Sequence, residues 1–236
     1  MYNTYNIPCE FQWNDVAFSI TSSSLDLYHY HREGTGDPVD KKIISHSNQM
    51  LINPVEPLNT PKFLTQYLLI EMAQSMTIAP KMKKNVYLTF PLDLGVYFLE
   101  KADFKLIDVF TLASSKYTLY GDPRHGVLCK YWESPLFESP PTVLPCQEGV
   151  LQLNIYNSDS DWVEVHHVVL NAYGMKIFYN DATVTTTAMM EIRSKEVAET
   201  DFDELPPAEG MKKSIEVFHA KKLSVSSKKY LMEFGI

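Results

Sequence analysis

Side chains alternate between apolar and polar in stretch after stretch of this chain: NVYLTF at 85–90, LQLNIY at 151–156, WVEVHHVVL at 162–170 and MKIFY at 175–179. Successive residues of a β-strand point to opposite faces, so a period of two marks a strand with one packed side and one wet side. Further β-rich runs are FQWNDVAFSIT, LDLYHYH, FLTQYLLIE, LGVYFL, LIDVFTL, KYTLY, VLCKYW, TVTTTAMMEI and SIEVFHA, separated at short intervals by Pro, Gly, Asn, Asp and Ser. Strands at that density predict an all-β, antiparallel β-sandwich rather than β-α-β units. The best helical windows, SKEVAETDFDEL at 194–205 and the short KKYLMEF near the end, lack a sustained apolar stripe, so little helix is expected.

A chain of 236 residues can bury one large core or two cores of about 110 residues each. The least strand-like gap near the middle is ASS at 113–115. It predicts an N-terminal sandwich over 1–113 and a C-terminal one over 114–236, with a single fused β unit as the alternative. Pro54, Pro57 and Pro61 remove three backbone donors from NPVEPLNTP, which must be a loop or an extended edge. Pro140, Pro141 and Pro145 predict a long crossing loop, Pro91 a break between two apolar strands, and Gly95 a bulge or a close backbone approach.

A net charge of −8 repels polyanions, and only Arg32, Arg124 and Arg193 supply the planar fork that reads phosphate or guanine, so nucleic acid is not an expected partner. No run of about 18 apolar residues appears, so the protein is not expected to span a membrane. The start shows no basic segment followed by an apolar one, and Cys9, Cys129 and Cys146 are odd in number and far apart, which suits reduced thiols in a cytoplasm. Acids gather between Glu196 and Glu209, and Lys212, Lys213, Lys221, Lys222, Lys228 and Lys229 follow. The pattern reads as a solvated loop with edge-protecting lysines, or as the two faces of a homo-oligomer contact.

Few residues form a recognisable chemical constellation. His29 and His31 in LDLYHYH are two apart on a strand and point to one side, a spacing that can offer two imidazoles to a divalent metal. With a carboxylate such as Glu71 or Asp93 they would make a metal-assisted hydrolase, but the later Glu and His of a cupin-like motif are out of place, so no cofactor is the favoured expectation. His166 and His167 are adjacent and so face opposite ways, with His167 on the apolar side. In KYTLYGDPRHGVLCKYW, the segment GDPRHG reads as a hairpin tip in which both glycines allow positive φ, and Cys129 as a packed thiol rather than a nucleophile.

Glu56, Glu71, Asp93 and Asp108 flank apolar strands and are the carboxylates to inspect. P-loop, nucleophile-elbow, C-x-x-C and EF-hand patterns are all missing. Aromatic residues are abundant, and Tyr131, Trp132 and Phe137 beside the proline-rich loop, with Arg124 and His125 at the neighbouring tip, are the expected binding surface for a protein partner or a glycan. No residue is assigned a catalytic role. The favoured function is a non-catalytic binding module.

Four segments together resemble a known family: NPVEPLNTPKFLTQYLLIE, VYLTFPLDLGVYF, IDVFTLASSKYTLYGDPRHGVLCKYWES and EGVLQLNIYNSDSDWVEVHHVVLNAYGMKIFYND. Their ordered strings, above all LTFPLDLGVYF and NAYGMKIFY, are similar to the mostly archaeal family filed as domain of unknown function 432. The resemblance spans about residues 50–190 and implies a soluble archaeal protein. It carries no catalytic residue onto this chain.

Overall fold

The alternating segments become strands, and the turn residues between them become connections. The computed structural model describes residues 2–60, 64–100, 103–217 and 229–236. In chain order the strands are β1 (Thr4–Asn6), β2 (Cys9–Trp13), β3 (Val16–Ser24), β4 (Leu27–Glu33), β5 (Val39–Ile44), β6 (Gln49–Val55), β7 (Tyr67–Ile78), β8 (Lys83–Pro91), β9 (Asp93–Glu100) and β10 (Asp103–Thr111). They continue with β11 (Lys116–Tyr120), β12 (Val127–Ser134), β13 (Glu148–Asn157), β14 (Val163–Asn171), β15 (Phe178–Tyr179), β16 (Val184–Ile192), β17 (Ala198–Phe202), β18 (Lys212–Lys213) and β19 (Tyr230–Met232). A 3-10 turn at Ala172–Gly174 follows β14. The chain is all-β, as its periodicity predicts, and no helix of the described residues is long and apolar enough to cross a membrane.

Among the described residues four sheets form, in the orders β2-β3-β4-β5, β1-β6-β9-β10, β11-β12-β7-β14 and β18-β15-β16-β13-β8, with β17 pairing β16 and β19 pairing β17. Most pairs are antiparallel. Two are parallel, β12 on β7 and β13 on β16, and the long chain between the members of each pair supplies the crossover that parallel strands require. Residues 112–115 make only a bend between β10 and β11, and the sheets holding β7 and β8 draw strands from both sides of it. One contiguous apolar cluster runs from Tyr2 to Ile236, and a second, small one gathers Leu51, Val55, Tyr97 and Val217.

Each of the two helical windows holds a strand instead, among the described residues. Ala198–Phe202 alternates between buried and half-buried, so period-two packing against β16 overrides the helix-forming acids, and Tyr230–Met232 pairs with β17. Pro54 lies within β6, but β1 reaches only Gln49–Leu51, which leaves the proline facing β9 on one side alone. Pro140, Pro141 and Pro145 fall in the connection from β12 to β13. Of the SIEVFHA run, Ser214–Val217 form no strand and the rest lies outside the described residues, as do Pro61, Lys221, Lys222 and Lys228.

Interior glycines mark close approaches. A Cβ on Gly95 would stand 2.6 Å from the Tyr97 ring, and one on Gly149 would stand 2.4 Å from the ring of Phe90, which is fully buried on the paired strand β8. Gly149→Ala should therefore lower the unfolding free energy by roughly 1–3 kcal/mol through overpacking. Urea denaturation reads this directly, and a stability unchanged within error would show that Phe90 has room to move.

Candidate functional site

The GDPRHG tip folds around Asp122. Its carboxylate accepts from the backbone N–H of Arg124 at 2.7 Å and of His125 at 3.2 Å, and meets His125 Nδ1 at 3.1 Å. These donors hold the Asp122 carboxyl below the usual carboxylate range. Gly121 adopts φ +99, whereas Gly126 keeps negative φ and is required for a different reason: a Cβ there would meet the Asp122 and Tyr120 carbonyls at 2.6 Å. Arg124 and His125 are exposed on the tip. Cys129 is fully buried on the strand behind, and burial pushes its thiol up to about 12, which removes the thiolate a nucleophile needs.

His29 and His31 project from β4 onto the exposed face of their sheet and converge on one carboxylate of β5. His29 Nε2 meets Asp40 at 2.9 Å, His31 Nδ1 meets it at 3.3 Å, and His31 Nε2 meets Glu33 at 3.0 Å. Hydrogen bonds to Glu33 and Asp40 raise the His31 pKa. Glu71 instead accepts from Tyr131 Oη at 2.6 Å, and Asp93 is buried beside Lys130. Among the described residues no group of three or more His, Cys, Asp or Glu side chains is placed to hold a metal ion. His167 is half-buried and edge-on to Tyr120, while His166 on the other face lies near Glu164.

Three of the four carboxylates to inspect are buried. Asp108 of β10 takes Arg32 Nε at 2.6 Å and the Tyr30 hydroxyl at 2.8 Å, tying β4 to β10. Asp93 sits at the start of β9, accepts from Asn59 N and Thr60 Oγ1 at 2.8 and 2.9 Å, and faces Lys130 Nζ at 3.6 Å. Burial pushes the Asp93 carboxyl up, and Lys130 with the two donors pulls against it. Glu56 is 2% exposed, and burial together with the negative charges of Glu216 and Asp93 raises its pKa to about 8. Perturbed buried groups mark functional sites when a cleft reaches them. Here each is enclosed by its own partners, so the cluster reads as internal cross-links.

The surface feature with the chemistry of a binding site is a groove of about 520 Å³ between the ends of β7 and β8. Met76 and Ile78 of β7, Val86 of β8, Met82, Leu136 and Phe137 make its apolar lining, and Trp162 stands at its side with 63% of its surface exposed. Lys84 and Glu138 add one charge of each sign. Phe137 is fixed there by an isolated antiparallel bridge to β8: Tyr87 N donates to Phe137 O at 2.9 Å and Phe137 N to Tyr87 O at 3.0 Å. Beyond that bridge no strand of the described residues pairs with the outer edge of β8, where Lys83, Lys84 and Asn85 are exposed.

Of the aromatic and tip residues singled out in the sequence, the groove contains Phe137 alone. Trp132 is half-buried with its indole N–H donating to Thr89 Oγ1 at 2.9 Å, and Tyr131, on the opposite face of β12, is tied to Glu71. Trp162, Met76 and Met82 come from separate segments that only the fold brings together. One signal was present for Trp162: it is a large apolar ring directly after the polar run NSDSD, where no core demands it.

The family described as Protein of unknown function (DUF432) matches residues 1–234, and the chain belongs to that family. No curated protein and no solved structure matches the chain.

Proposed function

We propose that this family member is a non-catalytic binding module whose groove beside Trp162 takes an extended, apolar segment of a partner protein. The observation that carries the reading is the Tyr87–Phe137 bridge at the mouth of the groove. A single residue of the chain's own loop already pairs with β8 there, and the strand edge continues past it. Tyr87 turns its N–H away from β13, so the two-residue period of an antiparallel ladder turns the N–H groups of Asn85 and Lys83 the same way.

A peptide added along that edge would gain main-chain hydrogen bonds, and every second side chain would enter the groove among Met76, Met82 and Trp162. An exposed Trp beside methionines is the composition of an adaptable peptide-binding surface.

Selection from a displayed library of random linear peptides tests this. The wild-type protein should enrich sequences with apolar residues at alternate positions, and Trp162→Ala should weaken their binding about thirtyfold or more. Trp162 is exposed, so its loss leaves the core intact. Failure to enrich any sequence, or equal binding to Trp162→Ala, would overturn the proposal.

A further inference from the structure

A second groove runs along β13 on the outward face of β8, β13, β16 and β17. Strand register sets its side chains in rows: Tyr87 beside Gln152, Asn85 beside Asn154, Met189 and Asp201, and Lys83 beside Tyr156, Glu191 and Glu199. The alternate residues Lys84 and Val86 belong to the groove beside Trp162, so the two grooves lie on opposite faces of β8. One end, of about 240 Å³, is walled by Pro140 and Pro141 from the β12–β13 connection and by Pro207, Ala208 and Met211 from the β17–β18 connection. The other end, of about 330 Å³, lies over Asn154 and Tyr156. Gln152 Nε2 donates to Asn154 Oδ1 at 3.0 Å and joins the two.

We propose that this face binds an uncharged carbohydrate chain lying along β13, with sugar rings against Tyr87 and Tyr156 and hydroxyls on the amides of Asn85, Gln152 and Asn154. The charged side chains of the groove are engaged with one another: Glu199 with Lys229 at 2.6 Å and with Arg193 at 3.5 Å, and Glu191 with Arg193 at 3.0 Å. The neutral groups are not. Among the described residues, the Asn85 amide and the Tyr87 and Tyr156 hydroxyls make no hydrogen bond to protein. The walled end carries no charged side chain among those residues. Such a surface offers an anion no spare cation, and offers a neutral polyol its whole hydrogen-bonding capacity.

The residue types fit that ligand. A sugar hydroxyl both donates and accepts, as a carboxamide does, and Asp201 adds acceptors in line with Asn154. The C–H face of a sugar ring packs on the negative face of an aromatic ring. The Lys83 ammonium covers one face of Tyr156 at 5.1 Å, and a sugar would use the other. Tyr87 and Tyr156 stand four residues apart along the strand direction, roughly 13 Å, with the amides between them, which suits a chain rather than one sugar. Proline walls lose no side-chain freedom when the groove fills.

An array of linear neutral oligosaccharides (glucans, mannans, galactans and chitin fragments), printed beside sulfated and uronate-bearing ones and probed with the full chain, tests the proposal. Calorimetry then follows the strongest binder. At least one neutral chain should bind, with a Kd that changes less than about twofold between roughly 50 and 500 mM salt, because no ion pair forms. Tyr156→Ala and Gln152→Ala should each weaken it about tenfold or more, and Trp162→Ala should leave it unchanged. Asn85 is exposed, so Asn85→Ala, expected to cost about threefold, keeps the test open if the larger changes disturb the sheet. The absence of any neutral binder, a preference for the charged chains, full-strength binding by folded Tyr156→Ala and Asn85→Ala proteins, or a loss in Trp162→Ala would each overturn it.

Discussion

Lys130→Met will lower the unfolding free energy by roughly 3–5 kcal/mol, the loss expected when one partner of a buried ion pair is removed and the other stays behind. Lys130 is 1% exposed and Asp93 is fully buried, so no water reaches the carboxylate that the substitution orphans. Asp93 keeps its donors Asn59 N and Thr60 Oγ1, which satisfy its oxygens without neutralising its charge. Two companion results follow.

Lys130→Met combined with Asp93→Asn should recover most of the loss, since an amide oxygen can accept from the same donors without carrying a charge. The single variant should also lose less in acid than near neutrality. Its folded-state Asp93 carboxyl, already raised by burial, would rise further without the lysine. An acid whose folded pKa lies above its unfolded value contributes stability that declines as pH climbs between the two. Guanidinium denaturation of the wild type and these two variants at two pH values measures all of this. A single-variant loss below about 1 kcal/mol would mean that the pair is hydrated.

Arg32→Met should be about as damaging, for a related reason with a different geometry. The guanidinium binds Asp108 through Nε, sends Nη1 to the Thr35 carbonyl at 2.7 Å, and lies 5.6 Å from the Phe110 ring centre. A methionine keeps the stem and abandons all three contacts, leaving Asp108 with the Tyr30 hydroxyl and the backbone N–H of Val109. A loss of roughly 3–5 kcal/mol is expected. Arg32→Lys should rescue little, because a single ammonium cannot reach carboxylate and carbonyl in the planar fork the site requires. Thermal and denaturant unfolding distinguish the three proteins, and a lysine variant as stable as wild type would contradict the account of the fork.

The strands were legible because burial imposes a two-residue period on the sequence itself: LQLNIY and VYLTF name their own inner and outer faces. The hairpin at Asp122 was legible because its turn chemistry is local. Ala198–Phe202 was harder to read, since its residue types favour helix and only the neighbouring strand decides the outcome. The parallel pairings could not be read, because register between distant strands leaves no mark in either one. The same holds for the groove. Met76, Phe137 and Trp162 are far apart in the chain, and each looks ordinary until the ends of β7 and β8 bring them together. Buried carboxylates were traceable only as acids set against apolar strands, a pattern that picked out Glu56, Asp93 and Asp108 and equally Glu71, which stays at the surface.

The most direct measurement is residue-resolved amide exchange on the protein with and without a saturating amount of the tightest peptide from the selection. The account predicts slower exchange at Lys83 and Asn85, whose N–H groups face the open edge of β8, and no change at Tyr87, which already donates to Phe137. Protection confined to another edge, such as β5 or β11, or exchange at Lys83 and Asn85 indifferent to a bound peptide, would contradict it.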